Sequence, residues 1–273
     1  GNYTVPTHGL YPYQWNWDSC LTALGLYYLN EERAWIEIET LFKYQWDDGM
    51  VPHIVFHQKN EGYFPGPDIW NTGRPGPTSG ITQPPVAGFA LKKIFEKSKN
   101  KEKYLSRAKE LVFKIHKWHQ WFYDFRDPKG SGLVAILHPW ESGRDNSVDW
   151  DESLNKVPTT GIFSFVRRDT EHTNPEHRPT EEQYKKYIWL LELFRGLNYD
   201  SSKLHDASPF CVVDPGFNSI LIKSCYELSK LAIDIGEKEI AEKSKKLAEK
   251  GQLALELLWN KPLNQYVCYD RNS

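Results

Sequence analysis

Apolar positions recur at helical spacing along seven stretches of the chain, separated by polar, Pro- and Gly-rich segments. The first predicted helix covers about 18–29 (DSCLTALGLYYL), small or apolar nearly throughout, with Asp18 placed as an N-cap or first-turn acid. A second covers about 31–46, with Ala34, Ile38, Leu41, Phe42 and Gln45 at helical spacing. A third, about 84–97, opens on two prolines, which a helix tolerates at its start but not inside. The fourth, about 103–125, is long and amphipathic through Leu105, Ala108, Leu111, Val112, Ile115, Trp118 and Phe122, and DPKGSGLV stops it. Further helices are predicted at about 180–197, 215–236 and 237–258.

These helices alternate in character. The first, third and sixth start at a Pro- or Trp-rich loop and carry small or apolar residues on more than one face. The second, fourth and seventh are charged amphipathic rods, KEIAEKSKKLAEKGQLALELL being the clearest. Each rod is followed by a turn and a short extended piece: DDGMVPH, DPKGSGLVAILHPW and NKPLNQYVCYD. A weak repeat of buried helix, surface helix and loop toward a common face predicts an all-α chain built as an α/α toroid, with no strand series able to form a large sheet. A closed ring of six hairpins has twelve helices, so the seven predicted here correspond to an incomplete toroid, expected as one partial catalytic domain over 1–273. Two stretches, 54–83 and 153–179, have no helical period; loops of that length are expected to form a site wall or lid.

Composition narrows the function. A formal net charge of −2 gives no basic field for nucleic acid or anionic lipid. No apolar run reaches a membrane-spanning length, and the first residues, GNYTVPTHGLYPYQWNWDS, lack a secretory pattern. Cys20, Cys211, Cys225 and Cys268 show no metal-ligand spacing and read as reduced thiols of a cytoplasmic protein. The nine histidines form no HExxH, so no metal or other cofactor is expected. The surplus is aromatic: 11 Trp, 15 Tyr and 13 Phe suit either a thick core or a ring-lined carbohydrate site.

HPWESGRDNSVDWDES, from His138 to Ser153, holds five carboxylates. Glycoside cleavage needs an acid for the departing oxygen and a second carboxylate to activate water or attack carbon, and aromatic neighbours can raise a carboxyl's pKa into the working range. Glu141 and Asp145 are the candidates; the alternative is that these acids cap turns and pair with Arg144, Arg167 or Arg168. YPYQWNWDS supplies rings and an acid suited to a monosaccharide, or simply packs around the first helix's start. Gln83 in TSGITQPPVAG is a polar group before an inner helix, which is also ordinary loop chemistry.

With YPYQWNWDS, DDGMVPH, TQPPV, HPWESGRDNS and DPGFNS in this order, the chain resembles glycoside hydrolase family 63, most closely its glucosylglycerate and mannosylglycerate hydrolase branch. The resemblance runs from Tyr11 to about Asp270. It implies an (α/α)6 barrel that hydrolyses α-glycosides with inversion and without a metal. It further implies Asp145 as general acid, with Tyr13, Trp15, Trp17, Asp18, Trp140 and the Gly143 backbone on the glycone and Gln83 toward the glycosidic or aglycone side. In HRPTEEQY, Arg178 and Tyr184 match an Arg and a Tyr that close on the glycerate carboxylate. An Arg fork is apt there because it meets a carboxylate with two parallel hydrogen bonds. The family's general base is a glutamate in the C-terminal part of the barrel, and no residue here matches it; Glu256 falls on a predicted outer helix.

The expected partner is therefore a small carbohydrate, with neither nucleic acid nor membrane. Three readings stand: an inverting hydrolase of a small anionic glycoside, a non-catalytic sugar-binding remnant that lacks the base, and another α-toroid enzyme such as a trehalase-like hydrolase or a polysaccharide lyase.

Overall fold

The computed structural model describes every residue except Pro75, His172 and Thr173, which fall within the two predicted loop stretches. In chain order its elements are β1 (Gln14–Trp15), α1 (Asn16–Leu29), α2 (Glu31–Phe42), β2 (Ile54–Val55), α3 (Pro67–Trp70), α4 (Ala87–Lys97), α5 (Lys101–Phe125), α6 (Asp151–Asn155) and α7 (Glu181–Gly196). They continue with α8 (Ser201–Ala207), β3 (Val212–Val213), α9 (Pro215–Asp234), α10 (Lys238–Leu255), β4 (Trp259–Asn260), β5 (Gln265–Tyr266) and β6 (Tyr269–Asp270).

All seven predicted helices form. The second ends at Phe42 rather than Trp46, because Trp46 turns inward: its backbone N–H donates to Met50 O and its indole N–H to Thr78 Oγ1. The third begins at Ala87 rather than Pro84, since Pro85 drives the residue before it out of helical conformation. The short helices α3, α6 and α8 have no counterpart in the sequence pattern; four to seven residues carry no readable period.

Helices α1, α4 and α9 pack side by side as an inner row, and α2, α5 and α10 each pack on the preceding inner helix. This is the alternation of buried and charged helices in the sequence. The rods α2 and α5 are N-capped by Asn30 and Asn100, whose side chains accept from Arg33 and Lys103 backbone N–H groups. Trp35, Phe42, Trp118 and Phe122 fill the space between the layers. The buried Glu37 carboxylate ties the layers together, taking bonds from Ser19 Oγ (2.6 Å), Arg33 Nη2 (2.6 Å) and Thr4 N (3.1 Å).

The extended pieces after the rods gather with those before the inner helices. β1 pairs antiparallel with β2, Val55 bridges to Thr78, Ile136 bridges to Val212, and β3 pairs with β6. These short pairings join successive helix pairs and set their loops toward a cavity. Among the described residues no helix is long and apolar enough to cross a membrane.

Candidate active site

A cavity of about 480 Å3 collects side chains from the lead-in to α1, the 54–83 stretch, the loop after Ile136 and the segment before α7. Trp15, Trp17, Asp18, Gln83, Trp140, Gly143, Asp145, Arg178 and Tyr184 all line it. Tyr13 does not. Fully buried, it lies behind the wall against Trp15, Phe56 and Tyr63, with its hydroxyl donating to Asn60 O. A place on the glycone does not fit that position; it supports the residues that do face the cavity. Tyr11, from the same YPYQWNWDS segment, lines the cavity instead.

The loop bearing Asp145 is fixed from several directions. Asn218 of the DPGFNS segment clasps Val134 through its N–H (2.8 Å) and its C=O (2.9 Å), just before the loop begins. His138 donates from Nε2 to Tyr187 O (3.0 Å), which leaves Nδ1 to accept from Trp140 N (3.1 Å). Burial pushes this imidazole down to about 3, so it is neutral. Glu141, the second candidate acid, is fully buried against Arg126 (2.6 Å) and also accepts from Leu137 N (2.8 Å). It anchors the loop and does not line the cavity.

Gly143 is required by its backbone. Its φ is +72°, and a Cβ there would come within 2.6 Å of the Trp17 ring. The first and fourth motifs thus meet face to face. Arg144 pairs with Asp214 (3.0 Å), the N-cap of α9, while Tyr187 Oη donates to the Asp145 carbonyl (3.0 Å).

The Asp145 side chain is otherwise without a hydrogen-bonding side-chain partner among the described residues. Burial raises its carboxyl from 3.8 to about 6, against the pull of the Arg178 guanidinium and with a smaller push from Asp169. Asp18, in the first turn of α1, is also raised by burial, against hydrogen bonds from its own backbone and from Trp17. Gln83 Oε1 accepts from Trp17 N (3.3 Å), joining the start of α1 to the segment before α4.

Arg178 reaches the same cavity, donating from Nη1 to Tyr11 Oη (3.1 Å) and from Nε to Asp169 Oδ2 (3.0 Å). Tyr184, at the start of α7 behind the Thr180–Gln183 capping box, donates to Phe64 O (3.3 Å); burial raises its phenol. Tyr11, His53, Tyr63 and Asp169 also line the cavity; Tyr63 and Asp169 lie outside the quoted motifs, and His53 closes DDGMVPH without any local feature to mark it. Tyr11 belongs to the YPYQWNWDS motif, but nothing local separates it from Tyr13. The aromatic surplus divides between two places: Trp35, Trp70, Trp118, Trp121 and Trp150 are core, whereas Trp15, Trp17 and Trp140 line the cavity.

Residues 11–273 match the mannosylglycerate hydrolase MGH1-like glycoside hydrolase domain. The chain belongs to this family. It is 47% identical over 275 residues to a mannosylglycerate hydrolase of Thermus thermophilus, covering 99% of this chain and 65% of that protein. It is 46% identical over 272 residues to mannosylglycerate hydrolase MGH1 of Selaginella moellendorffii, covering 99% of this chain and 56% of that one. A crystal structure of the family 63 mannosylglycerate hydrolase from Thermus thermophilus, in complex with Tris and D-glycerate, superposes with a TM-score of 0.94 at 47% identity, over 99% of this chain and 64% of that one. The helix-rich fold is consistent with the α-toroid of family 63, and this chain spans less than two thirds of the length of each of these relatives.

Proposed function

We propose that this chain provides the acid half and the anion-recognising wall of an inverting α-glycoside hydrolase for mannosylglycerate or glucosylglycerate. The observation that carries the reading is the Asp145 carboxyl, raised to about 6, in one aromatic-lined cavity with the Arg178 guanidinium. A carboxyl with that pKa keeps roughly a tenth of its protons at pH 7, enough to act as general acid on a departing glycerate oxygen. Trp15, Trp17 and Trp140 would lie against the apolar faces of the sugar, with Asp18 and the Gly143 backbone taking hydroxyls. Gln83 would act at the glycosidic oxygen or beyond it. Arg178, with Tyr184 nearby, would take the glycerate carboxylate by a charge-assisted bond.

Inversion needs a second carboxylate roughly 6.5–9.5 Å away with water between. Among the described residues the other acids lining the cavity are Asp18 and Asp169, and Asp169 is already bound to two arginines. Glu256 is not available either: it sits exposed at the end of α10, accepting from Tyr266 Oη (3.0 Å). With Asp18 taken by the sugar hydroxyls in this reading, none of the described acids is placed as the base. The seven long helices would supply about seven of twelve in a six-hairpin (α/α)6 ring. The four cysteines are free thiols, the state a reducing cytoplasm maintains.

Because Asp18 is, among the described residues, the one other cavity-lining acid not bound to arginines, a second reading is a sugar-binding protein without turnover. Proton NMR of both glycosides incubated with the full polypeptide separates the two. Hydrolysis with the inverted anomer formed first, slowed at least about 100-fold by Asp145→Asn, is the expected result. Undiminished hydrolysis by Asp145→Asn overturns the role of Asp145, and binding without hydrolysis by the wild type leaves the second reading.

A further inference from the structure

Asp169 stands out beside Arg178 because a carboxylate occupies the place where an anion is to be recognised. Its Oδ1 accepts from Arg167 Nε (3.0 Å), and its Oδ2 accepts from Arg167 Nη2 (2.7 Å) and Arg178 Nε (3.0 Å). It lines the cavity, yet only 8% of it is exposed. Arg167 is held in turn by Pro179 O (2.9 Å) and lies 4.4 Å above the Tyr184 ring. Burial opposes the Asp169 charge, but the bonds from Arg167 and Arg178 outweigh it and hold the carboxyl below its usual range, so it is ionised at neutral pH.

The charges at this end can be summed. Arg167 and Arg178 bring two positive charges and Asp169 removes one, while Asp145 in the same cavity, raised to about 6, removes most of another at neutral pH unless it holds its proton as the acid. The neighbouring Arg168–Glu171 pair (2.7 Å) is neutral and exposed, and Glu181, 3.7 Å from Arg167, is largely in solvent where screening weakens it.

We propose that Asp169 sets the valence of the anion accepted here: by neutralising one of two guanidiniums it matches the site to a monocarboxylate and against phosphorylated or dicarboxylic aglycones. This rests on the reading of Arg178 as the anion contact. The reason is electrostatic. A fixed negative charge near the ligand costs a dianion twice what it costs a monoanion, so its removal raises the dianion's relative affinity, whereas looser positioning of Arg178 weakens a dianion at least as much as a monoanion.

Calorimetric titration of the full polypeptide with D-glycerate, glycerol 3-phosphate and glycerol tests it, in the wild type, Asp169→Asn and Asp169→Glu. In Asp169→Asn the affinity ratio of glycerol 3-phosphate to D-glycerate is expected to rise about three- to tenfold at low ionic strength and to fall back as salt is added. Asp169→Glu, which restores the charge, should return the ratio toward the wild-type value. Equal changes for both anions, or a ratio that Asp169→Glu leaves shifted, would show that Asp169 only braces the arginines and overturn the proposal. Failure of the wild type to prefer D-glycerate over glycerol would instead overturn the anion-contact reading of Arg178, and this proposal with it.

Discussion

Glu141 and Asp145 stand four positions apart on one loop, and their surroundings differ in nearly every respect. At the foot of the loop Glu141 is sealed from water, paired with an equally buried Arg126 and bonded to Leu137 N. At the rim Asp145 lies among aromatic rings in a cavity, its backbone held by Tyr187 and its side chain left, among the described residues, without a side-chain hydrogen bond. Burial raises both carboxyls, but at the foot an arginine and backbone N–H groups stand against the rise, whereas at the rim the carboxyl reaches about 6. The foot spends its hydrogen-bonding capacity on the fold. The rim keeps its capacity for a ligand, and Arg144, clamped to Asp214, together with Gly143 against Trp17 keeps the intervening turn in place.

This contrast is easiest to break at the foot. Arg126→Met leaves Glu141 buried without its partner and should cost about 3–5 kcal/mol in denaturant unfolding, with cavity ligands losing affinity only as the fold is lost. A loss under about 1 kcal/mol would mean that the pair is not an anchor.

A rim substitution should do the opposite. Arg178→Ala is expected to weaken an anionic glycoside about ten- to a hundredfold, the worth of one charge-assisted hydrogen bond, while leaving a neutral glucoside and the unfolding midpoint nearly unchanged. Parallel titrations decide the point, and equal losses for both ligands would make Arg178 a support of the fold.

The smallest effect concerns stability and pH. Because the folded pKa of Asp145 is raised, its ionisation opposes folding. That cost is absent below about pH 3.8, grows as pH climbs toward 6 and is complete above it. Asp145→Asn should therefore match the wild type near pH 3.5 and be the more stable of the two at pH 7.5. Thermal melts at the two pH values check this; a variant less stable at pH 7.5 would mean that the carboxylate is held by bonds the geometry does not show.

Much of this molecule is legible in its amino-acid sequence alone. The alternation of apolar and charged helices marks the inner and outer rows, because helical periodicity is a local property that side-chain burial writes directly into the sequence. Of the ten site residues that the motif resemblance implies, nine line the cavity: Trp15, Trp17, Asp18, Gln83, Trp140, Gly143, Asp145, Arg178 and Tyr184. Helices α3, α6 and α8 escape because so few residues cannot show a period.

Which member of a like pair faces the cavity is decided by the tertiary structure. Tyr11 and Tyr13 differ by two positions in an irregular lead-in, and only packing against Tyr63 and Phe56 on one side and Arg178 on the other sends one inward and one to the cavity. Glu141 and Asp145 are separated in role by Arg126, which arrives from the end of α5. Asp214 acquires its Arg144 only when distant segments meet, whereas Asp169 takes Arg167 and Arg178 from its own irregular stretch once the tertiary structure folds that stretch back on itself. Helix formation depends on neighbours a few residues along the chain. The ionisation and freedom of a carboxylate depend on whatever the tertiary fold places within a few ångströms, and on how much water it removes.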